Sequence, residues 1–155
     1  MRWIVTALIA LFLGCAPKEF TKSESLLLTL KTKLLRFSDI AYLFEREDAV
    51  RLDLYSAGVP VMKIEIARFV CIENRGCMSK SGFNERYLSA AYPDDLLLHI
   101  LKGERIFNGR AYEELCNGYA QIIRDERFDI RYRVKPGFIT FKDKKNKILI
   151  KIRKI

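Results

Sequence analysis

Apolar residues recur at every second position through most of this chain, and that period confines it to a sheet. Val50, Leu52 and Leu54 alternate with Arg51, Asp53 and Tyr55, and Met62, Ile64 and Ile66 alternate with Lys63 and Glu65. Phe128, Ile130, Tyr132 and Val134 share one face opposite Arg127, Asp129, Arg131 and Arg133. Successive strand side chains point to opposite faces, so each segment reads as a strand with one buried and one wet side. Ile40, Tyr42 and Phe44 alternate with Ala41, Leu43 and Glu45 before them, and Ile148, Ile150 and Ile152 point inward near the end. Turn-forming residues at Arg46-Glu47-Asp48, Ser56 to Pro60, Pro136-Gly137 and Lys144-Lys145-Asn146 keep the connections tight, which makes neighbouring strands antiparallel.

Two stretches depart from that period. Ser23-Glu24-Ser25 precedes Leu27, Leu30 and Leu34 at i, i+3 and i+7, a spacing that predicts a helix ending near Lys31, Lys33 and Arg36. Pro93-Asp94-Asp95 before Leu96 to Lys102 and Gly103 after it predict a second, short helix with an acidic start and a glycine stop. Asn84 to Ala90 reads as one more helical turn, while Tyr112 to Cys116 fits helix or strand equally. Strands on both sides of a helical insert give an α+β fold: a single curved antiparallel β-sheet, a half-open barrel, covered by two or three short α-helices. A sheet closed loosely by so few helices predicts a pocket in its mouth, a usual place for apolar ligands.

The first residues set an address. Arg2, an apolar run of eleven residues from Trp3 to Leu13, Gly14 and Cys15 have the layout of a secretory signal cleaved at a cysteine. The run is shorter than the roughly 20 residues a spanning helix needs. Residues 1–14 are then the signal peptide, 15–22 a lipidated tether, and 23–155 one domain, leaving 155 − 14 = 141 residues after cleavage. Cys15 is the expected lipidation site, and that covalent lipid is the only prosthetic group expected. The layout resembles that of bacterial lipoproteins, and with Ala16 rather than Asp after the cysteine that resemblance implies the outer membrane, periplasmic face. The net charge of +9 falls to 27 − 19 = +8 without Arg2, and export removes nucleic acid as a partner. Much of the excess lies in Lys142, Lys144, Lys145, Lys147, Lys151, Arg153 and Lys154, which suit either a solvated strand face or anionic lipid head groups.

Three cysteines remain: Cys71, Cys77 and Cys116. Cys71 and Cys77 bracket a hairpin whose tip is Asn74-Arg75-Gly76; a three-residue loop would set them face to face, and a two-residue turn would offset them. The only histidine, His99, lies on the short helix with Asp95 and Lys102 as neighbours, no serine or cysteine nucleophile motif accompanies it, and no metal set of Cys-x-x-Cys type exists. Asp94-Asp95 is explained by helix capping and Glu113-Glu114 by solvent. Neither an enzyme nor a metal protein is expected.

Val50 to Ile66, Tyr92 to Leu97 with Ile100 to Gly103, Phe128 to Tyr132 and Ile148 to Ile152, taken in this order, resemble the LolB-type outer-membrane receptors of lipoprotein localisation. The resemblance runs from about Ala49 to the end; the early part is shorter than in that family, and no tryptophan follows Trp3. It implies a monomer that takes acylated lipoproteins from a periplasmic lipoprotein carrier and holds their acyl chains in an apolar cavity. The lining implied is Leu52, Leu54, Ile64, Ile66, Phe128, Ile130, Tyr132, Ile148 and Ile150. Ala57, Gly58, Val59 and Pro60 match the loop that delivers cargo to the membrane, with Val59 as its protruding side chain. The rival expectation is an envelope assembly lipoprotein, or one that binds lipid or lipopolysaccharide, with a filled core.

Overall fold

A computed structural model describes residues 19–155, so Cys15 and the signal lie outside the described residues. In chain order the strands are β1 (Lys22–Lys31), β2 (Arg36–Arg46), β3 (Ala49–Ser56), β4 (Val59–Ile66), β5 (Val70–Ile72) and β6 (Gly76–Met78). Two helices follow, α1 (Lys80–Tyr87) and α2 (Leu96–Lys102), and then β7 (Tyr112–Leu115), β8 (Gly118–Arg124), β9 (Asp129–Lys135), β10 (Phe138–Asp143) and β11 (Ile148–Lys154). All eleven strands form one antiparallel sheet in the order β6-β5-β4-β3-β2-β1-β11-β10-β9-β8-β7. The sheet does not close, and its edges are β6 and β7, the two strands that the helical insert connects. Each half is a meander, and the halves are sewn together where β11 returns to β1, pairing Leu28 with Ile152 and Leu30 with Ile150. No helix among the described residues is long and apolar enough to cross a membrane.

The expected first helix is instead β1. Its leucines satisfy both periods, because Leu27, Leu30 and Leu34 mark a helix face while Leu26, Leu28 and Leu30 mark a strand face. Pairing decides between them: from Leu26 to Lys31 every residue of β1 has a partner on β2 and another on β11. Leu26, Leu28 and Leu30 are buried, while Leu34 is 60 % exposed in the following turn. There the buried Thr32 hydroxyl accepts from the amides of Leu34 and Leu35. Lys31 and Arg36 therefore face each other across a hairpin and do not complement a helix end.

The helical insert follows its sequence signals more closely. Gly103 ends α2 in the left-handed conformation at φ 69°, and its amide bonds back to the Ile100 carbonyl. Asp95 sits at the start of α2 but makes no capping bond; its carboxylate pairs with Lys80 of α1 instead. The first helix of the insert begins before Asn84, at Lys80, where the Ser79 hydroxyl accepts from the Gly82 amide at 3.0 Å. Tyr112 to Leu115 is a strand, preceded by a 3₁₀ turn over Phe107–Gly109.

The inner face of the sheet carries the core. Ala41, Leu43, Leu52, Leu54, Ile64, Ile130, Tyr132, Phe141, Ile150 and Ile152 are buried there, and Phe83, Leu97 and Leu101 from the helices close over them. The folded domain also reaches further toward the N-terminus than 23: Thr21 donates its amide to Glu45, and the Phe20 ring lies 6.3 Å from that of Phe44.

Candidate functional site: the covered inner face and its hairpin rim

All nine side chains expected to line a cavity are buried on the inner face: Leu52, Leu54, Ile64, Ile66, Phe128, Ile130, Tyr132, Ile148 and Ile150. Only some of them border empty space. Leu52, Ile64 and Ile150 line a void between sheet and helices that measures about 10 Å³, closed by Leu97, Leu101 and Phe83. That is about the least space that holds one water, roughly 10–15 Å³, and far below what an acyl chain needs. Leu54 and Ile64 also line a cleft of about 140 Å³ at the rim, with Leu35, Phe37, Val61 and Met62. Ligand pockets run from about 300 to 1,000 Å³, so neither of these two spaces is acyl-sized. An open cleft of about 520 Å³ lies at the α2 end of the sheet, between Gly103, Tyr119, Val134, Phe138, Ile139 and Ile152, but none of the nine expected side chains borders it. Phe128, Tyr132 and Phe141 pack with Tyr92 and Phe107 in one aromatic cluster whose ring centroids lie between 5.1 and 6.4 Å apart, so this part of the inner face is core.

The sequence pattern missed the part of the lining that β1 supplies. Leu28 and Leu30 of β1 border the void, with Leu35 of the turn after it and Phe83 and Leu88, and the alternation of Leu26, Leu28 and Leu30 was the signal for the two from β1.

Val59 lies on the rim. The β3–β4 turn is only Ala57-Gly58, both in the left-handed region at φ 50° and 80°, as a two-residue hairpin requires. Val59 and Pro60 belong to β4, so the four-residue loop expected from the sequence is a tight hairpin tip. Asp39 holds the tip, accepting from the Ala57 amide at 3.1 Å and the Ile40 amide at 2.8 Å, and these backbone bonds lower its pKa. Between Leu54 and Tyr55 the register slips, leaving Val61 bulged beside Pro60, which has no amide to offer a partner strand. Val59 is 61 % exposed and Val61 52 % exposed. Because Val61 also lines the rim cleft, exposed apolar surface runs from the hairpin tip toward the interior; the cleft and the inner void share Leu30, Leu35 and Ile64.

The helical insert is tied over this interior by polar groups. Tyr92 donates its hydroxyl to Asp143 at 2.7 Å; burial, and then that carboxylate, pushes the Tyr92 pKa upward. Tyr119 and Tyr132 donate to the carbonyls of Gly103 and Glu104 at 2.8 and 3.0 Å, and burial raises both phenols. Lys102 reaches the Glu47 carbonyl at 2.6 Å. The buried Gln121 side chain accepts from the Ile106 amide and donates to the carbonyls of Ile106 and Arg110, fastening residues 106–110 to β8.

Cys71 and Cys77 are joined by a disulfide, their Cα atoms 4.0 Å apart and directly paired across β5 and β6. The hairpin loop between Ile72 and Gly76 has three residues, the length that sets the two cysteines opposite each other. Cys116 is a free, exposed thiol in the β7–β8 turn. His99 stands 3.8 Å from the Glu104 carboxylate on the surface of α2. Among the described residues no three His, Cys, Asp or Glu side chains gather as metal ligands would.

Compared with known proteins, the chain matches no family model, no curated protein and no solved structure. The functional reading therefore stands on the residues and the fold.

Proposed function

We propose that this protein is a lipid-anchored envelope lipoprotein of LolB type, receiving acyl chains of other lipoproteins on the inner face of its sheet. The observation that carries this reading is the apolar path from the exposed Val59 and Val61 through the rim cleft to the leucine-lined void beneath the helices. In this reading the open sheet is a half-open barrel, Cys15 holds it at the outer membrane, and the helices are its lid. Transfer needs no covalent chemistry, because each methylene taken out of water contributes about 0.8 kcal/mol. An acyl chain enters the void only if the lid moves, since the space as it stands is far too small for one. Lid movement breaks the polar ties to the sheet and uncovers apolar surface, which an incoming chain covers again.

Depletion of the protein followed by membrane fractionation tests the reading. Other lipoproteins then accumulate away from the outer membrane; their normal arrival there would overturn it. A Val59→Glu variant should slow delivery while folding normally, and unimpaired delivery by it removes the hairpin tip from the mechanism. The filled interior favours one rival, an assembly lipoprotein that supports a partner by its surface. It is the better reading if the purified protein takes up no fluorescent acyl probe and lipoprotein localisation survives depletion.

A further inference from the structure

The outer face of the sheet carries a concentration of charge that the linear sequence divides among five strands. Across β9, β10, β11, β1 and β2 the register aligns Arg131, Lys142, Leu149, Lys31 and Arg36 in one row. Two residues further along, Arg133, Thr140, Lys151, Thr29 and Ser38 form the next row. Lys135, Phe138, Arg153, Leu27 and Ile40 form the third. These 3 × 5 positions hold eight cations and no carboxylate, and all eight cations are exposed. Among the described residues none of the eight has an acidic group within ion-pair distance. Lys154, by contrast, is on the other side of β11 and paired to Glu24 at 2.6 Å.

We propose that this face docks on an anionic phospholipid surface, so that the domain lies with its outer face on the membrane and its helices facing away. Charge complementarity is the first argument: basic residues near an anionic bilayer each contribute about 1 kcal/mol, and rows about 7 Å apart on strands about 4.8 Å apart spread them over many head groups. Apolar side chains stand among the charges, with Phe138 54 % exposed on β10 and Ile40 and Tyr42 exposed on β2, the mixture found at membrane interfaces. The second argument is where the chain leaves the fold. Phe20 packs on Phe44, and Arg51 stacks over both rings, all on the outer face. Four residues, 16–19, separate Phe20 from Cys15, a reach of at most about 17 Å when fully extended. Ile40 stands four residues from Phe44 along β2, about 14 Å away. An anchor at Cys15 thus presents this same face to the bilayer, and a lipid chain together with a basic patch gives the two signals that stable attachment needs. The proposal does not depend on acyl transfer by the inner face.

Among the described residues every strand, both helices and all core side chains lie between Lys22 and Lys154, so residues 19–155 carry a complete sheet and core and serve for the test. This domain is sedimented with phosphatidylcholine vesicles, with and without phosphatidylglycerol. Binding is expected only to the anionic vesicles, falling as salt rises, and reduced about tenfold or more by the pair Arg133→Gln and Lys151→Gln. The pair Arg75→Gln and Arg86→Gln removes the same charge elsewhere and should leave binding nearly unchanged. Thermal melts of both pairs should match the parent, since all four side chains are exposed. Equal loss in both pairs, or no preference for phosphatidylglycerol, overturns the proposal. Cross-linking of Lys151 in cells to an acidic protein, with vesicle binding absent, also overturns it and assigns the face to that protein.

Discussion

Asp143 joins the helical insert to the sheet at a single carboxylate. It is fully buried and receives five donors: the Tyr92 hydroxyl, the amides of Asp129, Lys145 and Asn146, and the Asn146 side chain. A buried charge is tolerable only when it is satisfied in this way, and removing it strands several donors together. Tyr92→Phe deletes one bond to a charged acceptor and should cost about 2 kcal/mol, while Asp143→Ala should cost more. Urea unfolding of the two variants checks this, and a loss below about 0.5 kcal/mol for Tyr92→Phe would show that the bond adds nothing net. Neither Asp143 nor Gln121 was legible in the sequence. Asp143 meets its partner in the insert 51 positions away and Gln121 its partner 15 away, and periodicity carries no information about polar groups that meet only after the sheet has formed.

Among the elements, the strands with clean alternation were readable because one face of each is dry. Phe128 to Val134 and Ile148 to Ile152 stand as their pattern predicts, and the α2 stop at Gly103 follows from its left-handed backbone. The first segment was not readable, since five leucines between Ser25 and Leu35 fit two periods until a partner strand on each side selects one. The cysteine hairpin is the other element whose outcome the sequence left open. Its disulfide closes a short loop at the sheet edge, immediately before the Ser79 cap of α1. Constraining seven residues of the unfolded chain stabilises the fold by about 2 kcal/mol in the chain-entropy account. The double variant Cys71→Ser, Cys77→Ser should lose about that much in urea unfolding, and the parent under dithiothreitol should behave like it. A parent unaffected by dithiothreitol under conditions that reduce the bond would assign the hairpin's stability to its strand pairing alone.

For the molecule as a whole, topology divides the structure into parts of unequal persistence. The seam of β2, β1, β11 and β10 is held by continuous ladders on both sides and carries Leu28, Leu30, Ile150 and Phe141 into the core. The helices have no ladder; they rest on the sheet through apolar side chains and the bonds from Tyr92, Lys102, Tyr119 and Tyr132. Local opening follows such differences, because segments with fewer buried bonds open below the global unfolding free energy. Native-state hydrogen exchange in low denaturant should therefore show the amides of α1, α2 and residues 104–111 exchanging together, at a lower free energy than those of β1 and β11. This is also the motion that acyl acceptance requires. If the helix amides exchange only with the seam, at the free energy of global unfolding, the covered face has no route open to a ligand and the assembly reading takes its place. If an acyl chain added to the protein slows exchange of the helices without affecting β5 and β6, the inner face beneath them is where it binds.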